Sequence, residues 1–176
     1  MTLQELWELF PIVFTEHDER WASWAADEMD SLRHSVFQGK DIEVHHIGST
    51  AIQGILAKPI IDLLVEADGP DFDELKCTLP AAGYICMNES DKRADFNKGY
   101  TPDGYAERVF HLHLRHKGDK DEILFRDYLN AHRDVARQYE SLKISLWKVY
   151  EHDRDAYTDA KSDFVRHYTA MAKRLG

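Results

Sequence analysis

Between residues 135 and 149 the apolar side chains fall at intervals of four, three, four and three: Val135, Tyr139, Leu142, Leu146 and Val149. That spacing lays a continuous stripe along one side of a helix. The same period predicts a helix beginning near Asp18 as its N-cap, carrying Trp21, Trp24, Ala25, Met29, Leu32 and Val36, and ended by Gly39. The tryptophans on it read as packing residues. Another helix is predicted over residues 119–132, with Leu124, Phe125, Tyr128 and Leu129 on one side. A last one starts from about Asp153 and lines up Tyr157, Phe164, Tyr168 and Leu175. A shorter helix opens at Asp68-Gly69-Pro70, with proline near its first turn. It points Phe72, Leu75 and Leu79 inward and ends at Gly83.

The remaining apolar positions follow period two. Residues 42–47 alternate as a half-buried strand does, whereas residues 59–65 are apolar on both faces, as an interior strand should be. Residues 84–87 read as a third strand. From 88 to 104 the chain turns polar, and Asn97-Lys98-Gly99 and Pro102-Asp103-Gly104 both carry turn chemistry. Short strands over 94–98 and 108–115 are therefore predicted to pair as a hairpin. An apolar lead-in over residues 3–14, interrupted by Pro11, precedes everything else. No repeat, low-complexity stretch or linker divides the chain, so the expectation is one domain over residues 1–176. Its class is α+β (mixed α/β): a small mixed sheet flanked by helices, with a helical C-terminal third.

Composition narrows the function classes. A chain of 176 residues buries a core without disulfides or metals. Its formal charge of −10, from 32 acids against 22 lysines and arginines, argues against sequence-independent binding to DNA or RNA. A small basic pocket for one phosphorylated ligand remains compatible with that balance. Cys77 and Cys86 lack metal-type spacing, which suits a reduced protein. The opening MTLQELWELF has no basic region ahead of its apolar residues, unlike a signal peptide, and no apolar run approaches a membrane span. The expectation is a cytoplasmic protein with no membrane partner.

The chemistry concentrates in residues 46–67. A strand ending at His46-Ile47 meets Gly48-Ser49-Thr50, then a short helical connection, then Lys58-Pro59 and the apolar strand that contains Asp62. Gly48 lacks the Cβ that would keep a ligand from the backbone, and Ser49 and Thr50 offer hydroxyls and peptide N–H groups to an anion. A bulky residue at Gly48 is expected to abolish ligand binding with the fold kept. A lone carboxylate in such a strand is costly to bury unless paired or bound to a cation. An anion cradle followed by an acid is the layout of a phosphate-and-metal site; the bland alternative is a common turn and a capping acid.

Two more features add to it. In Phe110-His111-Leu112-His113-Leu114 the histidines share one strand face, about 7 Å apart at Cα, close enough to share a metal or a phosphate. Set against this is a solvated face in a chain with ten histidines. Lys143 and Lys161 lie on the apolar stripes of their helices rather than opposite them. Either each lays its methylenes on the core edge and snorkels to water, or it points into a pocket toward an anion. Replacing either by Met should then hold or raise stability and weaken anion binding. Arg126 is a third cation of this kind, although Asp127 beside it is a ready partner.

HIGSTAIQGILAKPIIDLLV, FHLHL, LFRDYL, YESLK and YTDAKSDFV occur in the order and rough spacing of the GrpB family, which the chain resembles from about Asp18 to its C-terminus. The resemblance implies a nucleotidyltransferase-like fold, with the Gly-Ser turn and the acid-bearing strand as its recurring active-site elements. Related modules are fused to other enzymes, dephospho-CoA kinase among them. Nucleotidyltransferases of this fold hold two metal ions with acids two apart on the strand and a third acid on a neighbour. Here Asp62 takes the first place and Leu64 occupies the second.

One carboxylate with His111 and His113 would suit zinc, manganese or iron better than a two-magnesium cluster. The candidate chemical centre, as metal ligands or as an acid–base cluster, is therefore Asp62, His111 and His113, with a divalent metal (Mg, Mn or Zn) as candidate cofactor. His46, Gly48, Ser49, Thr50, Lys58, Arg126, Lys143 and Lys161 are the candidate ligand contacts. Two function classes follow: transfer of a nucleotidyl or phosphoryl group to a small acceptor, or a catalytically inactive module that binds a nucleotide or another phosphorylated metabolite. A purely structural role leaves the polar residues of the central stretch unexplained.

Overall fold

The computed structural model describes residues 5, 8–151 and 153–176. The start of the apolar lead-in and most of the opening stretch lie outside the described residues. Five strands form one sheet: β1 (Glu43–Ile47), β2 (Ile60–Glu66), β3 (Ile85–Glu89), β4 (Arg93–Thr101) and β5 (Gly104–Arg115), in spatial order β1-β2-β5-β4-β3. β2 runs antiparallel to β1 and parallel to β5, and β4 is antiparallel to both β5 and β3. Helices α1 (Arg20–His34) and α2 (Gly69–Thr78) precede the β3–β5 meander; α3 (Asp121–Ala131), α4 (Arg133–Val149) and α5 (Arg154–Leu175) follow it.

The sheet has two different faces because its strands alternate. One carries Val44, Ile61, Leu63, Val65, Phe96, Phe110, Leu112 and Leu114 into the main core, where Trp21, Trp24, Leu32, Phe72 and Leu75 from α1 and α2 cover it. At about 25 cal/mol per Å2 of apolar surface removed from water, this layer is the main source of stability. Among its buried polar groups, Glu28 accepts from Tyr84 Oη (2.9 Å) and Lys98 Nζ (2.7 Å). The opposite face carries Asp62, Asp95, His111 and His113, with the helical layer α3–α5 beyond it.

That helical layer has its own core, built of Phe125, Tyr128, Leu129, Val135, Ala136 and Tyr139 packed on Ile52 and Ile55 of the β1–β2 connection. Four polar side chains tie the layer to the backbone of this connection. Asn130 bonds Ala51 O (3.0 Å) and Gln53 N–H (2.9 Å), and Arg133 donates to Gln53 O. Glu140 accepts from Leu56 N–H (2.5 Å), while Lys143 Nζ donates to Leu56 O (2.6 Å). A connection with few strand or helix bonds of its own is thus held by hydrogen bonds from α3 and α4 to its peptide groups.

Several boundaries differ from the sequence reading. α1 ends at His34, short of Gly39, because Ser35 leaves helical geometry and its hydroxyl bonds Ser31 O (2.7 Å); Val36 still packs against the core from the turn beyond. The predicted hairpin is longer at both strands and turns at Pro102-Asp103. Asn97-Lys98-Gly99 is not a turn but lies inside β4, where the register shifts between Lys98 and Tyr100. Gly99 has φ +92°, and a Cβ there would overlap the Arg108 carbonyl, so the glycine permits a bulge rather than a reversal. No helix of the described residues is long and apolar enough to cross a membrane.

Candidate functional site

The site begins where β1 ends. Gly48 has φ +74°, and Ser49–Ala51 form a single 3-10 turn rather than a helix. A Cβ on Gly48 would overlap Asp62 Oδ2, so the space opened by the glycine is taken by the carboxylate of the next strand. This corrects the expectation that a bulky residue there would spare the fold. Gly48→Ala is expected to cost about 2–6 kcal/mol, from a backbone conformation essentially confined to glycine plus overlap. In an Asp62→Ala background only the backbone strain, roughly 1–3 kcal/mol, should remain. A double-mutant cycle by urea denaturation measures the difference, and equal costs in both backgrounds would separate Gly48 from Asp62.

Register then assembles a row of alternating acids and bases. Asp62 lies opposite His111 in the parallel β2–β5 pair, and His113 lies opposite Asp95 in the antiparallel β5–β4 pair. Asp62 Oδ1 stands 3.1 Å from His113 Nε2 and 3.6 Å from His111 Nδ1. His113 Nδ1 is 2.9 Å from Asp95 Oδ1, which also accepts from Arg115 Nη2 at 2.9 Å. At the other end His111 Nε2 meets Tyr100 Oη at 2.7 Å. Tyr100 would face away from His111 in a regular strand; it reaches the ring where the β4–β5 register breaks at Gly99, with β5 advancing five residues from Phe110 to Tyr105 against two on β4.

His113 therefore has a carboxylate on each ring nitrogen. Carboxylates only accept, and a neutral imidazole has one N–H, so this geometry requires the imidazolium. Burial pushes its pKa down, but the hydrogen bonds and charges of Asp62 and Asp95 carry it up to about 9. Burial likewise works against ionised Asp62, and the hydrogen bonds from His111 and His113, with their charges, hold it well below the usual carboxylate range. Asp95 is lowered to about 2: burial opposes the shift, which comes from the His113 bond and the Arg115 charge.

Two cavities meet over this row and share Gly48, Ser49, Asp62, His113 and Tyr139. The smaller, about 330 Å3, adds Lys58, Lys143 and Lys161 to its wall, with His111 and Tyr157. The larger, about 550 Å3, is mostly apolar, with Ile47, Phe125 and Val165, and is rimmed by Arg93, Arg166, Lys173, Asp121 and Glu122. Lys143 is only 2% exposed and does not snorkel. Burial, with the Lys161 charge second, lowers its pKa to about 7. Lys161 lies over the Tyr157 ring at 4.3 Å and is lowered to about 8 by burial, with Asp62 opposing. Burial raises the Tyr139 hydroxyl to about 12, against a bond to Ser49.

Of the residues singled out from sequence, the structure brings Gly48, Ser49, Lys58, Asp62, His111, His113, Lys143 and Lys161 to these cavities. His46, Thr50 and Arg126 line neither. His46 Nε2 and Thr50 Oγ1 bond each other at 2.9 Å, bracing the turn from behind, and burial lowers the His46 pKa to about 4. The Arg126 guanidinium is engaged by His46 O (2.7 Å) and Asp127 (2.7 Å). Asp95, Tyr100, Arg115 and Tyr139 escaped sequence reasoning. For Asp95 and Arg115 the alternation of their strands with His113 was the available signal; for Tyr100 there was none.

A mixed sheet in which a Gly-Ser turn abuts an acid on the following strand is the nucleotidyltransferase fold. The chain matches a poly(U) polymerase crystal structure with MgGTP bound at TM-score 0.52 and 15% identity, over 82% of this chain and 46% of that one. At that identity the likeness is one of fold. More narrowly, the GrpB protein profile matches residues 11–171, and the chain belongs to the GrpB family. The crystal structure of GrpB from Enterococcus faecalis agrees at TM-score 0.77 and 28% identity, covering 93% of this chain and 98% of that one. A UPF0157 protein of Pseudomonas aeruginosa is 39% identical over 160 residues, spanning 88% of this chain and 65% of its own length. A Bacillus subtilis relative, 33% identical over 165 residues, is longer still, and this chain spans 46% of it.

Proposed function

We propose that this chain binds a nucleotide or another phosphorylated small molecule across the two cavities. The phosphates lie among Lys58, Lys143 and Lys161, and the less polar part lies in the larger chamber beyond Tyr139. The observation that carries this reading is the clustering of three lysines on one small cavity of a protein whose formal charge is −10. Among the described residues, Asp62 is the one carboxylate lining that cavity, and the histidines already contact it. A bound phosphate would bring further negative charge to the lysines.

A second reading, transfer of the nucleotidyl or phosphoryl group to a small acceptor, is favoured by the position of Asp62 and His113 where the chambers meet. There a donor in one chamber and an acceptor in the other would have their reacting atoms side by side. The divalent metal that the fold family implies does not fit the residues present as a two-metal cluster. Leu64 stands where a second acid would be, and Asp62 is bonded to an imidazolium. The charge of a transferring group would fall instead to the lysines and to His113. Under this reading the chain orients both partners and stabilises charge.

Anion binding should depend on pH. An anion binds the charged lysines, so its affinity falls as pH rises through the pKa values of about 7 for Lys143 and about 8 for Lys161. Between pH 7.5 and 9.5 a triphosphate keeps its own charge, and the affinity for ATP or inorganic triphosphate should drop about tenfold or more. Calorimetry in buffers of different ionisation enthalpy should also show proton uptake. Lys161→Met should remove much of that dependence, and 31P NMR of the same mixtures reports turnover. An affinity flat across this range, or unchanged in Lys161→Met, would place the ligand elsewhere.

A further inference from the structure

Some four residues from Asp62 along β2, on the same face of the sheet, lies a second group of ligating side chains that lines neither cavity. Glu43 and His45 alternate along β1, and Glu66 lies directly opposite Glu43 in the β1–β2 register. Glu43 Oε2, His45 Nε2 and Glu66 Oε2 all lie within 4.8 Å of one another. His45 Nε2 is 3.4 Å from Glu43 Oε2 and 3.5 Å from Glu66 Oε2. Donor atoms around a tetrahedral zinc ion, with bonds of about 2.0–2.1 Å, stand about 3.4 Å apart.

Glu66 supplies an independent sign of a missing cation. Its side chain is 1% exposed, yet Oε2, the oxygen aimed into the group, has no hydrogen-bond partner. The other oxygen, Oε1, accepts from Gly118 N–H at 3.0 Å. A buried carboxylate oxygen left without a donor is costly. The nearest cation is Lys120 Nζ, 3.6 Å from Glu43 Oε2 and 3.7 Å from Glu66 Oε2, beyond good hydrogen-bond range of either. Its side chain is 47% exposed and long enough to swing into solvent.

We propose that Glu43, His45 and Glu66 bind a divalent transition metal, zinc being the best match, with a water in the fourth position. One imidazole and two carboxylate oxygens suit zinc, whereas calcium and magnesium require more oxygen ligands. The ion replaces Lys120, joins the edge strand β1 to β2, and anchors the Gly118 turn through Glu66 just ahead of α3.

Tag-free protein stripped with a chelator and titrated with zinc should take up one ion at this site, and cobalt in its place should show the visible bands of a tetrahedral complex. His45→Ala and Glu43→Gln, both at half-buried or exposed positions, should abolish the cobalt spectrum. Lys120→Met should tighten zinc binding about tenfold by removing the competing cation. Asp62→Asn should leave the spectrum intact, which separates this site from the cavity chemistry proposed above. No uptake by either the natural chain or Lys120→Met overturns the proposal. So does a cobalt spectrum that survives His45→Ala.

Discussion

Asp62→Asn is expected to lower the His113 pKa by at least one unit from its value of about 9. It is also expected to destabilise the protein by about 2 kcal/mol near pH 5.5, at about 1.4 kcal/mol per pKa unit. Asp62 carries one of the two carboxylates that hold the imidazolium; Asp95 keeps the other. His113 titrates higher in the folded chain than the ordinary 6.5, so its contribution is fully present below pH 6.5 and is lost as pH rises through about 9. Asp62 is shifted the opposite way, so its contribution holds above the ordinary carboxylate pKa of 3.8 and is lost in more acid solution. Both descriptions concern one coupled interaction and are not to be added.

The His113 contribution should therefore fall between pH 6.5 and 9.5, against the opposite slopes of Lys143 and Lys161, and Asp62→Asn should reduce that fall. Urea denaturation at pH 5.5, 7.5 and 9.5, with His113 followed by NMR, measures it. The function readings separate on the same variant. Removing a negative charge from the junction should leave triphosphate binding equal or tighter, while any transfer activity should fall at least about a hundredfold. An unaltered stability profile and an unmoved His113 would mean that the carboxylate and imidazolium do not interact as the geometry requires.

Lys143→Met should make the protein more stable, by about 2–4 kcal/mol at pH 6.5. The folded pKa of about 7 against an ordinary 10.5 corresponds to a cost of about 5 kcal/mol for the charged form, as the gross figure. The variant also loses the 2.6 Å bond from Nζ to Leu56 O, about 1–2 kcal/mol. Between pH 7 and 10.5 the unfolded chain holds a proton on Lys143 that the folded chain has released, so this residue's contribution to stability grows as pH rises through that window. The variant lacks this slope, and its advantage should disappear near pH 10. Parallel stability curves for the two proteins from pH 6.5 to 10 would show that the ammonium is not desolvated. A cation held at such a cost next to Lys161 and Lys58 fits a pocket whose ligand brings negative charge, because an anion would recover much of the cost on binding.

Legibility from sequence followed local period. Residues 60–65 declared themselves an interior strand because both faces are apolar, and Asp62 stood out there because a carboxylate is costly in such surroundings. Spacing alone puts His111 and His113 on one strand face, and Lys143 and Lys161 fall on the apolar stripes of their helices. The nucleotidyltransferase-like fold, however, came from the resemblance of five segments in order rather than from period.

What the sequence by itself determined was the direction of each side chain relative to its own backbone. It did not determine which elements would meet. Asp95 is one of 32 acids, and nothing local ties it to His113 until β4 pairs with β5. Tyr100 has the wrong parity for the site, and only the register break between β4 and β5 brings it to His111. Tyr139 reads as core and is core, yet it also lines both chambers. His46, Thr50 and Arg126 belong to the most suggestive stretches but bond each other's backbone and side chains away from the cavities. Register and layer contacts depend on burying every strand and helix at once, a property of the whole packed chain, so the tertiary structure alone decided them.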